Sequence, residues 1–205
     1  MPRVRAVIVR RLAMSLLAVV AAGCASSAPR PQMLSASATV LPTPLVEQDD
    51  PHECGLAALT SLCDYYRVTI PEAQRQELSR LSEQEHGLSG AELRTALQGL
   101  GFEAYVFEGT FDRGATGVLG HIEKGRPLLV MLNHDGDNHY DLLIGHDPER
   151  ANVVLLDPSR GPVLLPDATF QSLWGAVRHF TLLAVPAAPA QSGVAGHNSP
   201  EESDS

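Results

Sequence analysis

The sequence predicts an α+β domain, and three observations carry that reading. Helical periodicities fill the first half of the central region. Short strand-like runs fill the second half, and both ends have the composition of segments outside a fold. Helices followed by an antiparallel sheet form one of the few layered arrangements in which each element buries an apolar face.

From Cys54 to Arg67, the residues Leu56, Leu59, Leu62 with Cys63, and Tyr66 recur every three to four positions, an amphipathic helical stripe. Pro71 suits a first helical turn, where its missing N–H is no loss, and opens a second helix to about Leu81. Ser89-Gly-Ala-Glu92 has the spacing of a capping box and starts a third helix that ends near Gly99–Gly101. Phe102 to Phe107 alternates as a strand, and Ala115 to Lys124 reads as a short helix closed by Gly125. Strand runs follow at Leu128 to Leu132, His139 to Gly145, Asn152 to Asp157 and Pro162 to Leu165. Asp167 caps a short helix through Trp174, and His179 to Val185 is a last strand.

The ends read differently. Residues 1–12 are basic, and an apolar run from Leu12 to Ala22 leads to Gly23-Cys24. That run is too short to span a bilayer, which takes about 20 residues, and has the three regions of a secretory signal peptide. Ala21-Ala22-Gly23 before Cys24 resembles a bacterial lipobox, which implies that Cys24 is lipidated and becomes the mature N-terminus. The expected organisation is a lipoprotein signal over 1–23, a flexible tether over 24–45, one domain over 46–185 and a disordered tail over 186–205. The place implied is the bacterial cell envelope, at the outer membrane facing the periplasm, with the membrane met through the lipid alone.

The 205 residues carry 15 Lys and Arg against 24 Asp and Glu, a formal charge of −9. Four of the arginines lie in the signal, so the mature chain holds 11 basic and 24 acidic groups, a charge of −13. That excludes a nucleic-acid-binding surface, which needs clustered positive charge to displace phosphate counterions. Three cysteines are too few for a disulfide scaffold. Cys63 lies nine residues after Cys54, about 13.5 Å along a helix, too far for a bridge between them. Its place on the leucine stripe reads as a core thiol.

Cys54 is at the first turn of its helix, where unpaired amides and the macrodipole favour an anion. A thiolate nucleophile needs a base, and the base needs an orienting group. The strand runs supply a pair. A hairpin with a five-residue loop at 146–150 pairs Gly145 with Ala151, which puts His139 directly opposite Asp157 on one face. A slip of one residue would separate them. His146 falls at the closed end, roughly 23 Å away at strand rise. His134, Asp135, Asp137 and His139 form a loose cluster without the ligand spacing of a metal site, so no metal or cofactor is expected.

Gln48-Asp-Asp-Pro-His-Glu-Cys54-Gly55, continuing to Asp64-Tyr65-Tyr66, resembles the start of the bacteriocin-processing, double-glycine type of papain-like cysteine peptidase. The later blocks resemble it too: Gly125-Arg-Pro, His139-Tyr140, Leu156-Asp157-Pro158, Gly161, Phe170 and Trp174. The resemblance implies a papain-like fold over roughly 46–180 and a peptide or protein substrate. It implies Cys54 as nucleophile, His139 as general base and acid, and Asp157 as the orienting group. Gln48 would give a side-chain N–H to the oxyanion beside the Cys54 amide. No P-loop and no second long apolar run occur, so any coupling to export would use separate machinery. A peptide-binding module on the same fold stays open at this stage, as does an amide hydrolase or acyl transferase using the same residues.

Overall fold

The computed structural model describes residues 34–187. The expected signal, Cys24 and the tail beyond Ala187 lie outside those residues. In chain order the elements are β1 (Thr39–Val40), α1 (Cys54–Tyr65), α2 (Glu72–Glu85), α3 (Gly90–Gly99), β2 (Phe102–Glu108) and α4 (Val118–Glu123). They continue with β3 (Leu128–His134), β4 (Asp137–Asp147), β5 (Asn152–Asp157), β6 (Gly161–Pro166), α5 (Asp167–Gly175) and β7 (Phe180–Pro186). The strands form one antiparallel sheet in the order β2-β7-β3-β4-β5-β6, with β1 added to the far end of β4.

The predicted helices form, with differences at their starts: Asp167 is the first residue of α5 behind Pro166, not its cap, and its carboxylate meets His146. In α1 every residue from Cys54 to Cys63 is buried, and the helix packs on β4. Gly55 permits that approach, since a Cβ there would lie 3.2 Å from the Tyr140 ring. Pro71 is the N-cap of α2 rather than its first residue, and α2 runs past Leu81 to Glu85. The capping box of α3 is complete: Ser89 Oγ accepts from the Glu92 amide, and the Glu92 carboxylate accepts from the Ser89 amide. β4 is buried from Tyr140 to Gly145 without alternation, so it is covered on both faces.

Two expectations need correction. The chain from Leu34 to Leu45, expected as flexible tether, packs on the sheet: β1 pairs with His146 and Gly145, the Leu41 amide donates to Ile144 O, and Leu41 and Thr43 are buried. The physical reason is a gap in the sheet. β3 begins only at Leu128, opposite Leu143, so the last residues of β4 need another partner on that edge, and β1 is it.

The hairpin register also differs. The β4–β5 turn is 148–151, with Asp147 opposite Asn152, and a bulge between Leu143 and Gly145 shifts the ladder to Leu142 opposite Leu156. One step further, Asp157 falls opposite Asp141 rather than His139. His139 lies two residues beyond Asp141, hence on the same face, and reaches Asp157 diagonally. Without the bulge the turn register would have put the two on opposite faces.

Candidate active site

The second strand pair of the site is the β3–β4 hairpin, whose two-residue turn is Asp135-Gly136. Both turn residues have positive φ, 54° and 105°, as a tight two-residue hairpin turn requires. The polar stretch from His134 to Asn138, which lies between two expected strand runs, is therefore mostly strand. It extends β4 outward and carries His139 at the mouth of a cleft of about 1140 Å³. Cys54, Tyr140 and Asp157 also line that cleft, with His52, His86 to Ser89, His134 and Arg160 around them.

Cys54 enters from α1. Its N-cap residue, Glu53, gives the helix no side-chain hydrogen bond, because its carboxylate accepts the Ser79 hydroxyl of α2 at 2.5 Å. The first-turn amides of α1 are thus left without a capping side chain. The loop before Cys54 is tied down through its backbone. Gln48 N–H donates to Pro158 O at 3.0 Å, Glu53 N–H donates to Asp50 O, and the Ser82 hydroxyl donates to His52 O. The first of these bonds joins the segment before Cys54 to the turn after Asp157.

His139 Nε2 lies 3.1 Å from Asp157 Oδ1, and Cys54 is close enough to help hold the ring in its charged form. With Nε2 engaged by the carboxylate, Nδ1 is the nitrogen left for sulfur. Burial works against the charged ring, but the bond to Asp157, with Cys54 and Asp141 nearby, outweighs it and pushes the imidazole up to about 10. The ring is therefore cationic at neutral pH.

Asp157 is fully buried and heavily bonded. Oδ1 accepts from the Ser159 amide and hydroxyl, both at 2.7 Å, and from the Arg160 amide, while the Arg160 guanidinium binds Oδ2. Burial would raise this carboxyl, yet the bonds from His139, Ser159 and Arg160 hold it well below the usual carboxylate range.

Gln48 is not brought into the cleft. Its Nε2 donates to Asp50 O at 2.9 Å, and its side chain lines a second cavity of about 400 Å³ between α1 and α2. Sequence reasoning missed Asp141, a wholly buried carboxyl 3.9 Å from His139 Nε2. The signal was present: one acid inside the apolar run from Tyr140 to Ile144. It also missed Ser159 and Arg160, whose part depends on a turn that sequence does not specify. His139, Asp141 and Asp157 bring one nitrogen and two oxygens within 4.8 Å of one another, the set among the described residues that could hold a cation. Its Asp157 oxygens are already committed to N–H and O–H donors.

Cys63 is free and completely buried in the core, and burial, with Asp64 beside it, pushes its thiol up to about 12. It is inert packing, in keeping with its place on the leucine stripe.

Residues 42–184 match the sequence pattern of the peptidase C39 family. No functionally curated protein matches the chain. Among solved structures, the chain is similar to the peptidase domain of Streptococcus ComA, a bi-functional ABC transporter involved in quorum sensing. The TM-score is 0.57 at 23% identity, covering 70% of this chain and 98% of that one. It is similar to a double glycine motif protease from an AMS/PCAT transporter, solved in complex with its leader peptide (TM-score 0.53, 22% identity, 71% and 92% covered). A C39-like peptidase from Bacillus anthracis aligns with a TM-score of 0.58 at 15% identity, over 73% of this chain and 98% of that one. At these identities the likeness speaks for the fold, a papain-like α+β peptidase domain.

Proposed function

The chain belongs to the peptidase C39 family of cysteine peptidases, and on that premise we propose that it cleaves a peptide or protein with Cys54, His139 and Asp157 acting together. The observation that carries the reading is the convergence of these three side chains, from α1, β4 and β5, at one cleft.

The proposed chemistry runs as follows. The Cys54 thiolate attacks the scissile carbonyl carbon, and the oxygen takes the negative charge. The Cys54 amide, which has no intrahelical acceptor at the first turn, donates to that oxygen. The Gln48 amide is the second proposed donor, through the hydrogen not used by Asp50 and a turn of the side chain toward the cleft. Collapse of the adduct passes the imidazolium proton to the leaving amine and leaves a thioester on Cys54. His139 then takes a proton from water, the hydroxide attacks the thioester, and a carboxylate product departs. Asp157 holds Nε2–H, which fixes the tautomer and keeps Nδ1 turned to sulfur.

Peptide is the substrate class this reading takes from the leader-peptide complex of the double-glycine protease. The same reading anchors the mature chain by lipid at Cys24, at the outer membrane facing the periplasm, with export left to separate machinery. Mass analysis of the mature N-terminus, with Cys24→Ser as control, checks the anchor. The peptidase proposal is tested with an electrophilic peptide probe. Wild type should form one adduct, at Cys54, and Cys54→Ala should fold and form none. Equal labelling of the two proteins would sink the assignment.

A further inference from the structure

We propose that Asp141 is a positioning residue for His139, a second carboxylate that holds the ring and favours its cationic form alongside Asp157. The proposal rests on the reading of Cys54 and His139 as nucleophile and base.

Asp141 stands in the middle strand, opposite Val130, with no exposed surface. Neither carboxylate oxygen has a hydrogen-bond partner among the described residues. An unpaired buried carboxylate is costly, and its neighbours Leu142, Leu143 and Ile144 show that the strand position suits an apolar side chain. A carboxyl kept there calls for a partner, and the ring nitrogen of His139 lies 3.9 Å from its Oδ1. A displacement of under one ångström would bring that nitrogen within hydrogen-bond distance. Such a displacement is what the ring must make when it turns from sulfur to the leaving amine.

The two acids are not equivalent. Asp157 shares its charge with Arg160 and spends three further bonds on the turn it closes. Asp141 has no hydrogen-bond donor competing for it among the described residues. The charged and titratable groups facing His139 are Asp157 from β5, Asp141 from its own strand, Cys54 from α1, His134 from β3 and Arg160 from the turn after β5. Burial, with Asp157 beside it, pushes the Asp141 carboxyl up to about 7, against the lowering influence of His139 and Arg160. Its negative charge therefore develops as the pH rises through about 7.

The test uses iodoacetamide, which reports the Cys54 thiolate without any peptide substrate, together with NMR titration of the His139 ring. Asp141→Asn removes the charge at nearly constant shape, and Asp141→Val is a second charge-free variant suited to a strand. The His139 midpoint should fall by about one pH unit in both, and the alkaline step that the ring imposes on the pH profile of Cys54 alkylation should move down with it. Asp141→Glu should recover part of the shift. If the variants overlay wild type in both measurements, the proposal is wrong. Loss of fold in both charge-free variants would mark Asp141 as structural and overturn it too. Failure of the underlying reading looks different: His139→Ala would then leave Cys54 alkylation unchanged in the otherwise wild-type protein.

Discussion

Single side chains decide how this site responds to pH, and two of them have opposite signs. Asp157 has a folded-state pKa held below its unfolded value, so its stabilisation is present above pH ~4 and lost as the pH falls further. His139 is raised from 6.5 to about 10, so its contribution is complete below pH 6.5 and disappears as the pH climbs through 10. Wild type should therefore lose melting temperature steadily between pH 6.5 and 10, and His139→Ala should flatten that slope. Parallel slopes in the two proteins would contradict the ring's bond to Asp157. Asp157→Asn keeps the shape but weakens the hold on Nε2, and should lower kcat/KM by roughly 10²-fold or more. It should also make melting nearly independent of pH in the acid range, where wild type falls away.

At the scale of elements, the helices were legible and the strand register was not. Ser89 and Glu92 specify α3 by local hydrogen bonds, and the stripe from Leu56 to Leu62 specifies the buried face of α1; both signals act within one element. The contact between His139 and Asp157 depends on two elements at once. It needs the four-residue turn after Asp147 and the extra residue near Ile144, and neither leaves a pattern in composition or period. The pairing arithmetic reached the right face by assuming a different loop and no bulge. The β3–β4 hairpin had its signal in Asp135-Gly136, but the polar residues flanking it read as loop because both strands leave the core there. Gly145, just past the bulge, ties these elements to β1. A Cβ there would sit 2.4 Å from Thr39 O and 3.1 Å from Val40 Cα. Gly145→Ala should cost about 1–3 kcal/mol through overpacking and part β1 from β4. Thermal melting measures the cost, and faster proteolysis within residues 34–45 reports the parting; an unchanged melt would show that β1 yields freely.

For the whole molecule the question is where the fold begins, and composition misjudged it. The stretch from Leu34 to Leu45 is rich in Ser, Ala, Pro and Thr, which reads as a spacer because no period of apolar residues runs through it. Its ordering comes from the sheet, not from itself. Ser35 donates through its amide and hydroxyl to the Asp147 carboxylate, Leu41 is buried in the core cluster, and the Val46 amide donates to Ser61 Oγ on α1. The same segment continues into Gln48, whose backbone holds the turn after Asp157, so the path from Leu34 runs directly into the site. A chain starting at Val46 loses the burial of Leu41, worth about 2 kcal/mol by itself, and exposes the edge of β4 from Ile144 to His146. Against a chain starting at Leu34, it should melt several degrees lower. Its Cys54 alkylation should also lose part of its dependence on His139, because the backbone tie at Pro158 no longer has an anchored strand behind it. Equal melting of the two lengths would show that the segment rests on the sheet without supporting it, and would return the start of the domain to Val46.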